Sequence, residues 1–256
     1  MILFMKKLIV ANWKCNPTSQ KEAQRMLLAL KAGIKNNSRA EMVICPPFVY
    51  LPEANRILKN TSSIKLGAQN CFWEEKGTFT GEVSPKMLKD LKVKYVILGH
   101  SERKIIMNET NEMTAQKVKA VLNLNLTPVI CIGETLEERT QSKTFSVIEK
   151  EFKESLQKTN PKQISKVIIA YEPLWAISPS DKICSSDDAL TVALFIKKLA
   201  KEIYGKKTSE AIRVLYGGSV NAKNARDYLE NDAISGLLVG GASLNIKEFL
   251  GILRNV

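Results

Sequence analysis

Eight short runs of β-branched and aliphatic residues recur along the chain, at 7–11, 42–45, 64–68, 95–99, 128–133, 167–171, 213–216 and 236–239. Each is apolar on successive positions, the pattern of a strand buried on both faces in a parallel sheet. Parallel neighbours need a crossover between them, and the intervening segments read as helices. Ser19-Gln20-Lys21-Glu22 has the form of a capping box ahead of Ala23, Met26, Leu27 and Leu30, which share one helix face. Ser84-Pro85 places a cap and a first-turn proline before Met87, Leu88 and Leu91. Ser186-Asp187-Asp188 opens a longer pattern that ends near Tyr204-Gly205, and Asn221 caps a shorter one running through Tyr228.

Eight units over 256 residues average 32 apiece, about the length of one strand and its helix. No Pro/Gly/Ser-rich linker interrupts the series, so the chain reads as one domain over 1–256, with Met1 to Phe4 a start-site extension. The expected class is α/β, and eight units fit a closed (β/α)8 barrel better than the alternative that periodicity leaves open, a doubly wound sheet.

No run of 18 apolar residues occurs, so no membrane-spanning segment is expected. The four apolar residues after Lys6-Lys7 are too few for a signal peptide. Cys15, Cys45, Cys71, Cys131 and Cys184 lie far apart, fitting neither a zinc site nor a disulfide framework. All five are expected as small buried side chains in a reducing cytoplasm. The 38 basic and 26 acidic residues leave a net charge of +12, a balance found in nucleic-acid binders. The lysines are scattered, however, and no stretch interleaves aromatics with arginines; solvated lysine faces are expected, with no nucleic acid and no membrane as partner.

In a barrel the reactive groups sit just past the C-terminal ends of the strands. There the chain presents Asn12-Trp13-Lys14, Gln69-Asn70, His100-Ser101-Glu102-Arg103, Glu134, Glu172-Pro173, Gly217-Gly218-Ser219 and Gly240-Gly241. His100 is the only histidine, and imidazole is the commonest acid–base group near neutral pH. Glu172 ends an apolar strand, where a carboxylate is costly unless paired or used; partly desolvated, it would be a strengthened base. The two glycine pairs precede helical patterns, and their N–H groups suit an anion such as a phosphate. Lys14 would add a full positive charge. Each signal alone also has a structural reading: a satisfied histidine, a salt-bridged carboxylate, a tight turn.

Together the motifs resemble the triosephosphate isomerase family over residues 5 to 256. The matching segments are Ala-Asn-Trp-Lys at 11–14, Gly-Ala-Gln-Asn at 67–70, Gly-Thr-Phe-Thr-Gly-Glu at 77–82 and Gly-His-Ser-Glu-Arg at 99–103. Cys-Ile-Gly-Glu follows at 131–134, Tyr-Glu-Pro-Leu-Trp-Ala-Ile at 171–177, Tyr-Gly-Gly-Ser-Val at 216–220 and Val-Gly-Gly-Ala-Ser-Leu at 239–244. The resemblance implies a TIM barrel that interconverts dihydroxyacetone phosphate and glyceraldehyde 3-phosphate through an enediolate, with no cofactor or metal. It implies Glu172 as base, His100 as neutral electrophile, Asn12 and Lys14 as holders of the oxygens, and Glu102 as organiser of Lys14. By the same likeness the N–H groups of Ser178, Ser219, Gly240 and Gly241 hold the phosphate. It also implies a homodimer, in which Thr80 supports the neighbouring subunit's Asn12 and Lys14 and Cys15 lies at the interface edge.

The likeness breaks after Ile177, where the family usually continues Gly-x-Gly-Lys as the tip of a lid. Here the chain reads Ser178-Pro179-Ser180-Asp181-Lys182-Ile183-Cys184, one residue longer and without either glycine. Pro179 narrows the backbone routes open to a switching lid. Closure with other hinge residues is one outcome; poor closure, with low turnover and leakage of the intermediate, is the other. Retention of every matched chemical group favours the first. Another phosphosugar isomerase, a phosphate-ligand binder and a basic nucleic-acid-binding protein are the competing readings. The set Asn12, Lys14, His100 and Glu172 argues against a mere binder.

Overall fold

The computed structural model describes residues 6–34, 40–177 and 180–256. The extension expected at Met1 to Phe4, and Ser178 and Pro179 of the altered segment, lie outside the described residues. Eight parallel strands pair in chain order and close on themselves: β1 (Lys7–Asn12), β2 (Ala40–Cys45), β3 (Ile64–Ala68), β4 (Tyr95–Leu98), β5 (Thr127–Ile132), β6 (Ile168–Tyr171), β7 (Arg213–Tyr216) and β8 (Gly236–Val239). Closure is made by β1, whose Val10 lies opposite Val43 of β2 on one side and Leu238 of β8 on the other. The open doubly wound alternative is thereby removed, and the chain is a single-domain (β/α)8 barrel.

Helices run between the strands: α1 (Gln20–Gly33), α2 (Leu51–Leu58), α3 (Pro85–Asp90), α4 (Ser101–Ile106), α5 (Asn111–Asn123), α6 (Leu136–Thr140), α7 (Thr144–Leu156), α8 (Ser186–Tyr204), α9 (Lys206–Ala211), α10 (Ala225–Leu229) and, after β8, α11 (Ile246–Arg254). The Ser19 half of the expected capping box forms, its hydroxyl accepting from Glu22 N–H at 3.3 Å. Ser84 caps α3 with Pro85 in its first turn. Two caps sit elsewhere than expected. Ser185, not Ser186, caps α8, and Asn221 serves the turn before α10 by accepting from Lys223 and Asn224 N–H.

The successive apolar positions of each strand divide by the period-2 pleat into two cores. Leu8, Val10, Val43, Ile97, Val129, Cys131, Ile168, Ala170, Leu215 and Leu238 fill the barrel interior. Ile9, Ala11, Met42, Ile44, Ile130, Ile132 and Ile169 face the helices. Leaving the barrel, the inward series of β1 runs on from Leu8 and Val10 to Asn12, that of β6 from Ile168 and Ala170 to Glu172, that of β7 from Leu215 to Gly217, and that of β8 from Leu238 to Gly240. Strand parity thus aims these four residues into the mouth.

Two expectations need correction. Cys15 is exposed while the other four cysteines are buried and free, because it lies three residues past the end of β1 at Asn12. Lys7 and Lys197 are not solvated: Lys7 Nζ donates to the carbonyls of Asn231 and Ile234 at 3.0 and 2.7 Å, and Lys197 Nζ to that of Ile212 at 3.1 Å. Burial lowers both their pKa values.

Candidate active site

A cavity of about 320 Å3 opens at the C-terminal mouth of the barrel, with Asn12, Lys14, His100 and Glu172 on one wall and Ile177, Gly217, Gly218, Ser219, Gly240 and Gly241 on the other. Lys14 holds a left-handed backbone at φ 54°, which costs a side-chain-bearing residue about 1–2 kcal/mol. Two neighbours hold it there: Asn12 Oδ1 accepts Lys14 N–H at 3.0 Å, and Gln69 Nε2 donates to Lys14 O at 2.8 Å. Its Nζ donates to Glu102 Oε1 at 2.6 Å. Glu102 is half-exposed, so this pair orients the ammonium more than it stabilises the fold.

His100 follows Gly99, whose φ of 64° turns the chain sharply out of β4. His100 then caps α4 with its own ring: Nδ1 accepts Glu102 N–H at 3.3 Å. A ring nitrogen that accepts carries no proton, so the imidazole is neutral and its proton sits on Nε2. Nε2 faces Glu172 Oε1 at 3.2 Å. Glu172 is only 2% exposed, and its second oxygen accepts Ser101 N–H at 3.1 Å. A carboxylate buried at a strand end is thereby satisfied by a backbone donor and an imidazole, both exchangeable. Beside it, burial and then the Glu172 charge push the Cys131 thiol well up, so it stays a neutral packing group.

The opposite wall is built from backbone. A methyl group on Gly217 would stand 2.9 Å from Glu172 Cγ, so only glycine leaves the base room. Gly240 sits against Lys14 and Gly241 faces open space. The helix starts expected directly after both pairs are weaker than expected: a four-residue 3-10 turn, Gly241–Leu244, follows the second, and α10 begins well after the first. Ser219 N–H and Oγ both donate to Ala176 O, at 3.2 and 2.8 Å.

Glu134, noted at the end of β5 but given no part, is fully buried under the segment after Glu172. Its Oε1 accepts from Tyr171 Oη at 3.0 Å and Trp175 Nε1 at 2.9 Å, while Arg139 stacks 4.4 Å over the Trp175 ring. Past the undescribed tip, Ser180 Oγ donates to Trp175 O at 2.6 Å, and the Cys184 carbonyl accepts Tyr228 Oη at 2.6 Å. Ser101, Gly217, Glu134 and Gln69 are positions that the fold brings to the site and that residue type alone does not disclose; their place past a strand end was the available signal. Thr80 lies on an exposed loop, away from the cavity. Among the described residues no group of three His, Cys, Asp or Glu side chains is placed to hold a metal.

The family model described as triosephosphate isomerase matches residues 7–256. Among curated proteins, the triosephosphate isomerase of Dictyoglomus turgidum is 44% identical over 98% of this chain and 99% of its own length. That of Alkaliphilus oremlandii is 46% identical over 97% and 99%, and that of Endomicrobium trichonymphae 44% identical over 97% and 98%.

Proposed function

The chain belongs to the triosephosphate isomerase family, and on that premise we propose a division of the reaction among its residues. It interconverts dihydroxyacetone phosphate and D-glyceraldehyde 3-phosphate, a step shared by glycolysis and gluconeogenesis, in a family that works without a cofactor. Glu172 takes the proton from the hydroxymethyl carbon of the ketone, leaving an enediolate, and returns it to the adjacent carbon. To do so its carboxylate releases Ser101 N–H and His100 and turns to the substrate. His100, neutral, offers Nε2–H to the carbonyl oxygen and relays protons between the two oxygens. The enediolate carries charge that the ketone lacks, so Lys14, with Asn12 beside it and Glu102 orienting it, stabilises the transition state more than the ground state.

The phosphate lies across the cavity on the N–H groups of Ser219, Gly240 and Gly241, and Ser178 shares this role in the proposal. Ser219 then exchanges its bonds to Ala176 O for bonds to phosphate. The observation that carries the assignment is the Glu172–His100 contact at 3.2 Å, base against neutral acid at the floor of a cavity whose far wall is bare backbone. A coupled assay of glyceraldehyde 3-phosphate conversion tests it. Glu172→Asp withdraws the carboxylate by about 1 Å and is expected to lose about 10²-fold in kcat; a loss below threefold would remove Glu172 as base.

A homodimer belongs to the same proposal. A second cavity, of about 260 Å3, lies behind Asn12, Lys14 and His100, with Cys15, Phe48, Ile106 and Met107 on its outer rim. Ile105, Ile106 and Met107 are exposed in a row, and so is Phe79 beside Thr80 on its projecting loop. Such a groove and such a loop suit one another on two copies of the chain, Thr80 reaching the partner's Asn12 and Lys14. Light scattering giving one chain mass would overturn it. A cytoplasmic location and a single domain over 1–256, Met1 to Phe4 being an extension, complete the reading. The free cysteines support the location, and a family match running over residues 7–256 supports the single domain.

A further inference from the structure

Helix α4 carries His100 at its cap and Ser101 and Glu102 in its first turn, yet it is poorly anchored by packing. Ser101 is its one buried residue, and its C-terminal end exposes Ile105 and Ile106. One turn beyond His100, Lys104 N–H donates to His100 O at 3.1 Å, and the Lys104 side chain runs back toward the barrel. Its Nζ donates to Cys131 O of β5 at 3.2 Å and to Glu151 Oε1 of α7 at 2.7 Å. The other Glu151 oxygen accepts Gly133 N–H, just past β5, at 2.9 Å. Both side chains are largely withdrawn from solvent.

Gly133 has no slack against the base. A methyl there would fall 1.8 Å from Glu172 O, and Glu172 N–H donates to Ile132 O at 2.8 Å. The Lys104–Glu151 pair therefore ties the helix that presents His100 and Ser101 to the end of β5, whose Ile132–Gly133 peptide carries Glu172. We propose that Lys104 and Glu151 are positioning residues of the isomerase, holding the His100 ring and Ser101 N–H in register with the Glu172 carboxylate. The proposal rests on the reading of Glu172 and His100 as the reacting pair. Its logic is geometric: loss of Lys104 unties α4 from both Glu151 and the Cys131 carbonyl, and loss of Glu151 breaks the path from α4 to Gly133 and leaves Lys104 only the Cys131 carbonyl. A misplacement of about 1 Å between reacting groups costs on the order of 10²-fold in rate, and a loosened tether would forfeit part of that. The phosphate wall, on β7 and β8, is untouched.

The test is steady-state kinetics with thermal denaturation on wild type, Glu151→Gln, Lys104→Met and Lys104→Arg, with the exposed Glu149→Gln on the same helix as control. The first two are expected to lose about tenfold in kcat with KM within about twofold, whereas Lys104→Arg, which can reach both acceptors, stays within about threefold and Glu149→Gln is unchanged. Near-wild-type kcat in folded Glu151→Gln and Lys104→Met would overturn the proposal. So would activity lost only in proportion to the fraction unfolded. Should Glu151→Gln fail to fold, the Lys104 pair of variants decides. The double exchange Lys104→Glu with Glu151→Lys supplies a second arm, since it restores the ion pair but leaves Gly133 N–H without an acceptor. Recovery of kcat there would reduce the pair to a simple staple. Wild-type turnover and the Glu172→Asp loss, measured alongside, show separately whether the reacting pair itself is rightly assigned.

Discussion

The two walls of the cavity are built on different principles. On the acid–base wall every reactive side chain is already held: Lys14 by Asn12, Gln69 and Glu102, His100 by the α4 backbone, and Glu172 by Ser101 and His100. On the wall proposed for the phosphate the donors are backbone groups, and Ser219 directs both its donors to Ala176 O. The segment between Ile177 and Cys184 is gripped at its two ends, by Ser180 on Trp175 and by Tyr228 on Cys184. A group that must present charge to a transition state, as Lys14 does in the proposal, gains from being held in advance, whereas Glu172 and Ser219, which must turn to the substrate, gain from bonds that can be exchanged.

Breaking the reactive wall should have the largest effect. His100→Gln removes the neutral Nε2–H donor and is expected to lower kcat by about 10²–10⁴-fold with little change in Tm, read in the same coupled assay. A loss under tenfold would move the electrophile elsewhere.

Beneath that wall, Glu109 is buried with Lys117 and Arg103, each at 2.6 Å from its Oε2, and Lys117 also donates to Asn70 at 3.0 Å. Burial pushes the Glu109 carboxyl up, but Lys117 and then Arg103 outweigh it and hold it below its ordinary value. A carboxyl depressed in the folded state gives stability that is complete above its unfolded pKa, about 4.3, and is lost as pH falls through the lower folded value. Glu109→Gln leaves Lys117 buried without its counter-charge and is expected to cost about 3 kcal/mol at neutral pH. It should also flatten the acid limb of a plot of stability against pH, measured by denaturant titration.

Two glycines of the backbone wall face different neighbours. Gly217→Ala drives a methyl against Glu172 Cγ, and about a tenfold loss is expected in kcat. Gly241→Ala meets no protein atom, so its methyl intrudes only on the ligand, and KM for triose phosphate should rise several-fold while kcat holds. The reverse pattern would exchange the roles of the two glycines. The smallest effect is expected of Tyr228→Phe, which frees the Cys184 carbonyl for the loss of about 1 kcal/mol in Tm-derived stability and about threefold or less in kcat.

Much of the reactive wall was legible because chemistry-bearing residues stood next to unbroken apolar runs: a lone histidine after 95–99, a glutamate after 167–171. The runs also implied eight parallel strands. Their unbroken character hid the pleat, however, and with it the reason Asn12 and Glu172 point into the mouth. Glu134 looked like one more strand-end residue, since nothing local tells that Tyr171 and Trp175 will converge on it from the next strand. Lys7 and Lys197 read as solvent lysines because their partners are carbonyls far along the chain or in the next turn of the fold. Cys15 read as buried because residue type reports averages, whereas one step past Lys14 the chain has left the core.

By itself the sequence determined the strand–helix alternation, the caps at Ser19 and Ser84 and the identity of the groups able to do acid–base work, since these depend on residues within a few positions of one another. Closure of β1 onto β8, the side of each strand that faces inward, the meeting of His100 with Glu172 and the tie from Lys104 through Glu151 to Gly133 were decided only by tertiary structure. Each depends on a distance between residues far apart in the chain, which packing sets and local propensity does not.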